Sequence, residues 1–144
     1  LTARLISKRF GAAIMGAALL APLPALSQEA ALRLGLDSLA PAGSACRVTL
    51  VAENALGSDI AKVAYEFVFF DRDGRVELLT VLDLKDLPAG RMRVRQFDLP
   101  GLDCAGVSRV LVNDAKACEG PGLDAAACLA RLETSSKAPV PLES

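Results

Sequence analysis

The stretch that most constrains the fold is Val63–Leu82, VAYEFVFFDRDGRVELLTVL. Val63, Tyr65, Phe67 and Phe69 alternate with Ala64, Glu66, Val68 and Phe70, the period of an extended strand. Asp73-Gly74 then separates this run from a second apolar one, Arg75–Leu82. Asp-Gly between apolar runs signals a tight hairpin, because glycine accepts the positive φ that the turn needs. The charged Lys62 and Glu66 mark one face of the first strand as solvent-facing, yet that face becomes apolar at Val68 and Phe70. A strand apolar on both sides at its end is central in its sheet or covered there by a loop. Four of the six aromatic residues sit in these twenty positions, so the hairpin is expected to carry the core.

The rest of the chain repeats this pattern of short strands and turns. Ala31–Leu39 sets Leu32, Leu34 and Leu36 against Arg33, Gly35 and Asp37. Ala40–Gly43 reads as a turn, and Cys46–Ala52 as a strand with β-branched content. Glu53–Asp59 breaks the pattern with turn residues. Arg91–Phe97 alternates Met92, Val94 and Gln96 against Arg91, Arg93 and Arg95. Phe97 and Leu99 fall on the arginine side, which predicts a bulge near Gln96 or a change of cover. Val107–Val112 is a further strand. Asp124 is placed to cap a short helix, Ala125–Leu132, and the polar, proline-bearing segment 134–144 reads as a loose tail. About six or seven strands, turns every 8–12 residues and one late helix predict an all-β fold, a small antiparallel Ig-like β-sandwich.

Residues 1–27 stand apart. Arg4, Lys8 and Arg9 are followed by an uncharged apolar run, Gly11–Leu26, and by small residues at Ala25 and Ser27. This is the three-part pattern of a cleaved secretory signal peptide. The run is shorter than the roughly 20 residues of a membrane span. Lys8-Arg9 lacks the arginine pair of a twin-arginine signal, which favours the general secretory route. The expected layout is a signal at 1–27, a sandwich domain at 28–133 and the tail at 134–144. The mature protein is expected in the periplasm or secreted, with no stable membrane insertion. Without the first 27 residues the chain keeps all 17 acidic residues but 13 of its 16 basic ones, a net charge of −4. That balance gives no electrostatic reason for a nucleic-acid partner.

Cys46, Cys104, Cys118 and Cys128 all follow the expected cut, and an even count in an exported chain reads as two disulfides. A zinc site is disfavoured by the absence of histidine and of any closely spaced cysteine pair. Of the three pairings on paper, Cys46–Cys104 with Cys118–Cys128 is preferred. The second closes a short turn-rich loop and leaves the first to tie distant strands, worth about 2–4 kcal/mol.

Little of the sequence suggests chemistry. Without histidine the commonest general base is missing, and no phosphate loop is present, so the chain is expected not to be an enzyme and to carry no cofactor. Asp71, Asp73 and Gly74 resemble the opening of a calcium loop, but the position of its closing glutamate holds Leu82. Arg91, Arg93 and Arg95 form the one candidate interaction face, against the plainer expectation of a solvated outer face or a charge-guarded edge.

Phe67-Val68-Phe69-Phe70-Asp71, followed by Gly74, resembles the F-x-[LF]-[YF]-D…G core of the FxLYD-type domains of bacterial exported proteins. Asn54 after an apolar strand and Leu87–Gly90 before the next also sit where those domains carry an Asn and a Pro-Gly-like turn. The resemblance spans Leu32 to Val112 and does not include the four cysteines or the helix. It implies an Ig-like extracytoplasmic sandwich and no catalytic role. The functional expectation is a non-enzymatic exported protein that binds another envelope or periplasmic protein through a sheet edge or outer face. The alternative is a small-ligand or ion-binding module near Asp71 and Asp73.

Overall fold

A computed structural model describes residues 29–144; the expected signal peptide lies outside the described residues. Two four-stranded sheets pack face to face. The first holds β1 (Leu32–Ala42), β2 (Ala45–Asn54), β5 (Met92–Pro100) and β7 (Leu132–Ser136), in the order β5-β2-β1-β7. The second holds β3 (Ile60–Phe70), β4 (Val76–Leu87), β6 (Arg109–Glu119) and β8 (Leu142–Glu143), in the order β4-β3-β6-β8. Connections β2–β3, β4–β5 and β5–β6 cross between the sheets, as in Ig-like sandwiches. The fold is the all-β sandwich expected from the sequence. Among the described residues no helix is long and apolar enough to cross a membrane.

The organising hairpin is β3–β4. Val63, Tyr65, Phe67 and Phe69 are completely buried between the sheets. Val68, on the opposite face, is buried as well, because β3 is central: Leu79 of β4 and Leu111 of β6 lie directly beside it. Asp71 sets the turn, where its Oδ1 accepts the N–H groups of Asp73 (2.9 Å) and Arg75 (2.8 Å) while Gly74 takes φ +76°. Arg109 stacks over the Phe70 ring, 4.0 Å from its centroid.

Both preferred disulfides are formed. Cys46–Cys104 ties β2 to a one-turn 3-10 helix, Cys104–Gly106. Cys118–Cys128 ties β6 to α1 (Ala125–Ala130), whose first turn is capped by Asp124 Oδ1 accepting from the Ala127 N–H at 2.8 Å. The buried Tyr65 hydroxyl donates to the Cys128 carbonyl at 2.9 Å, fastening this loop to the core. Burial pushes the Tyr65 phenol well above its ordinary range, so it stays a neutral donor.

Several boundaries differ from expectation. β1 runs on to Ala42, through a bulge at Asp37. Its Pro41 lacks an N–H, but β7 pairs with β1 only as far as Leu36, so no ladder bond is lost there. β6 continues to Glu119, seven residues past the expected end. Two bulges against β3 break its alternation, and its inward residues there, Ala115 and Cys118, are small. The helix ends at Ala130, and Leu132 already belongs to β7.

The largest correction concerns segment 134–144, which is not a loose tail. β7 pairs in parallel with β1, from Leu32↔Leu132 to Leu36↔Ser136, and the Lys137 N–H donates to the Leu36 carbonyl at 2.8 Å. β8 pairs in parallel with β6 and buries Leu142. Both sheets are therefore mixed. Main-chain pairing on a sheet edge requires few apolar side chains, and so a polar composition hid it.

Candidate functional site

The described residues expose five large hydrophobic side chains: Val76 (58%), Leu79 (52%) and Val81 (48%) on β4, and Met92 (61%) and Val94 (57%) on β5. β4 and β5 are the outermost strands of their sheets. They share one flank of the sandwich, where β5 side chains reach β4. Scattered exposed apolar residues are ordinary on any surface; here all five fall on two edge strands, Val76, Leu79 and Val81 on the outer face of the second sheet and Met92 and Val94 on the outer face of the first.

The arginines of β5 do not form the solvated row expected of them. β5 pairs with β2 without interruption from Ala45↔Pro100 to Glu53↔Met92, so of the two alternatives near Gln96 there is no bulge and the cover changes along one face. Leu99 and Phe97 point at the opposite sheet, and unbroken alternation points Arg95 and Arg93 the same way. Arg95 Nε donates to the Leu84 carbonyl at 2.7 Å, and its NH2 to the Asp86 carbonyl at 3.1 Å. Asp86 also faces the guanidinium groups of Arg95 (3.4 Å) and Arg93 (3.7 Å). These two arginines close the seam between the sheets. Arg91 is exposed at the turn after Gly90. The outward face of β5 is instead apolar, with Met92 and Val94.

β4 divides into a guarded and an unguarded half. At Asp83–Lys85 it bulges against β3, with Leu84 as the extra residue and Lys85 in the left-handed region at φ +64°. Asp83 Oδ1 accepts the Lys85 N–H at 2.8 Å; that bond and the nearby ammonium groups of Lys85 and Lys62 hold its carboxyl below the usual range. The outward carbonyls of Leu84 and Asp86 are those capped by Arg95. Along Val76–Leu82, by contrast, no side chain among the described residues hydrogen-bonds to the main chain. Inward, Leu78, Thr80 and Leu82 lie beside Phe69, Phe67 and Tyr65. Outward, Leu79 extends an apolar row through Val68 to Leu111, and Val81 lies beside Glu66, whose carboxylate is held by Asn113 at 2.7 Å and Lys116 at 3.4 Å.

The outer face of the first sheet has a shallow groove of about 190 Å³ over Gly35, lined by Arg33, Val51, Met92 and Ser135. A Cβ at Gly35 would come within 3.2 Å of Ser135 Oγ, so packing against β7 accounts for the glycine. Arg33 on its rim is held between Glu53 and Glu133.

Asp71, central to the ion-binding alternative, spends one carboxylate oxygen on the turn. The described residues contain no group of three or more His, Cys, Asp or Glu side chains that could hold a metal. The flank itself is not among the features expected from the sequence. Its signal was available in Leu78–Leu82, LLTVL, which is apolar on both faces. For Met92 and Val94 it was the parity shared by the arginines with Phe97 and Leu99.

The fold and flank define an all-β sandwich with two apolar edge strands side by side. No family model matches the chain, and neither a curated protein nor a solved structure is detectably similar to it.

Proposed function

We propose that this chain is a non-enzymatic exported protein that binds another polypeptide at its β4/β5 flank, by adding a strand to the open edge of β4. The carrying observation is the confinement of every large exposed hydrophobic residue among those described to these two edge strands. Main-chain pairing along Val76–Leu82 supplies affinity in such a mode, and flanking side chains supply selectivity. Completing the burial of Val76, Leu79 and Val81, each already about half covered, contributes on the order of 1 kcal/mol apiece. The two disulfides fit an oxidising compartment outside the cytosol. We assign export to residues 1–27 and the mature protein to the periplasm or the medium. The FxLYD-type resemblance supports the same assignment. Its residues have structural roles here: Asp71 caps the turn, Phe67 and Phe69 fill the core, and Asn54 is a buried clamp.

The test is affinity capture from an extract of exported proteins. Val81→Pro removes a main-chain donor that faces the open edge of β4 and stiffens the strand; Leu79→Lys charges its outer face. Both are expected to lose partners that wild type and a control on the other sheet, Asp37→Lys, retain. Partners held equally by all four proteins would rule out the β4 edge.

A further inference from the structure

We infer that the strand added to β4 carries acidic side chains at the end that lies beside Asp83–Asp86. This rests on the proposed strand addition and names the chemistry of its occupant. The Phe70 carbonyl accepts from the Ser108 N–H on the β6 side, so the alternate residues Phe69, Phe67 and Tyr65 turn their main-chain groups toward Leu78, Thr80 and Leu82 of β4. Leu79 and Val81 therefore present their N–H and C=O groups to the open edge. Beyond Asp83 the edge is already taken. The Arg95 guanidinium lies along it and donates to the carbonyls of Leu84 and Asp86, where a neighbouring strand would otherwise donate. An incoming strand pairs beside Leu79 and Val81 and then meets guanidinium groups.

The positive charge at that end is not balanced. Asp83 is held by Lys85 at 3.3 Å, with Lys62 nearby. Asp86 lies 3.4 Å from Arg95 and 3.7 Å from Arg93. Arg95 is committed to the two carbonyls and to Asp86, but Arg93 is not: beyond its distant ion pair it reaches only the Met92 carbonyl, at 3.5 Å. Arg91, two positions along the same face of β5, is exposed. The other end of the open run has the opposite sign, since Asp71, Asp73 and Glu77 outnumber Arg72 and Arg75 around the turn.

Opposite charges facing each other across strands stabilise and like ones destabilise. A strand with carboxylates at the arginine end is therefore favoured over one with ammonium groups there. A carboxylate also accepts two guanidinium N–H groups in parallel, which suits the uncommitted donors of Arg93 and Arg91. Residues 28–144 carry a net charge of −4, so an acidic segment is not drawn to the domain in general. The pull is confined to this end of the edge.

Calorimetric titration with four end-blocked peptides tests this. Each has a Thr-Val-Thr-Val-Thr core, with two Glu or two Lys at its N-terminal or its C-terminal end; both ends are used because a strand can add parallel or antiparallel to β4. At low salt the tighter Glu peptide is expected to bind wild type about tenfold better than either Lys peptide, and the gap should narrow as salt is raised. R91S/R93S should abolish the preference, and R91E/R93E should reverse it in favour of Lys. Reversal is specific to facing charges and does not follow from a loss of stability. Val81→Pro should weaken binding of all four peptides. Equal binding of Glu and Lys peptides, no binding of any up to millimolar concentration, or a preference unmoved by the arginine variants would overturn the acidic occupant. In that case strand addition at β4 stands if Val81→Pro and Leu79→Lys still lose captured partners, and fails as well if they do not.

Discussion

Replacing Asn54 by alanine is expected to destabilise the domain by about 3–5 kcal/mol. Asn54 is completely buried, and every polar atom of its side chain is used. Its Nδ2 donates to the carbonyls of Leu87 (2.7 Å) and Ser58 (2.8 Å), and its Oδ1 accepts the Leu56 N–H (3.0 Å). Its own carbonyl accepts the Gly90 N–H at 2.8 Å. One residue therefore fastens the end of β2 to the β2–β3 loop, the end of β4 and the β4–β5 turn. Alanine leaves three main-chain groups without their partner, each costing about 1–3 kcal/mol where water cannot reach it. Thermal unfolding should fall by more than about 10 °C in a domain of this size. Asn54→Asp should be at least as damaging at neutral pH, because a carboxylate offers no donor to the two carbonyls and adds a buried charge. A loss under about 1 kcal/mol for Asn54→Ala would mean that water or a rearranged loop replaces the clamp.

Asn54 also marks the limit of what the sequence discloses. Its place after an apolar strand is visible, but its three partners are 2, 4 and 33 positions away and meet only in the folded sandwich. The β3–β4 hairpin was legible because its information is local: alternation fixes the buried face, and Asp71–Gly74 fixes the turn. The disulfide pairing was legible because a short turn-rich loop leaves one complementary choice. β7 and β8 were not, since parallel pairing of Leu132–Ser136 with β1 depends on main-chain groups that every sequence carries.

The interaction flank was half legible, and the miss has a physical cause. Alternation tells which residues share a face but not which face is inward. On β5 three arginines on one face suggested solvent. Phe97 and Leu99 on that same face decided otherwise, because two apolar anchors between the sheets cost more to expose than two guanidinium groups cost to tuck against Asp86 and two carbonyls at a partly solvated seam. Met92 and Val94 were turned outward as a result. The exposure on β4 has a different origin: its inner face must match Phe69, Phe67 and Tyr65, while on the outer one Leu79 shelters Val68 and nothing in the described sandwich requires Val81 to be apolar. About half of each side chain still faces water at a cost in solubility, which is why a partner is the economical explanation.

The second large effect separates the two disulfides. Removing Cys46–Cys104 as the double alanine variant should cost about 4 kcal/mol, and removing Cys118–Cys128 about 3 kcal/mol, in the chain-entropy model. The ordering follows from loop size: sequence separations of 58 and 10. The long loop contains β3, β4 and β5, so without its bridge the unfolded chain regains freedom over the whole organising hairpin. The short loop closes Gly120, Gly122 and the capped first turn of α1, and its loss leaves α1 still held by the Tyr65 hydroxyl on the Cys128 carbonyl. Chemical denaturation of the two double variants measures the difference directly, with each slope fitted separately because the bridge that remains limits the surface exposed on unfolding. The reverse order, with Cys118–Cys128 the costlier loss, would mean that native packing around α1 governs the contribution and not the entropy of the unfolded chain. In that case Tyr65→Phe in the Cys118–Cys128 variant should have little further effect, because its acceptor would already have moved away.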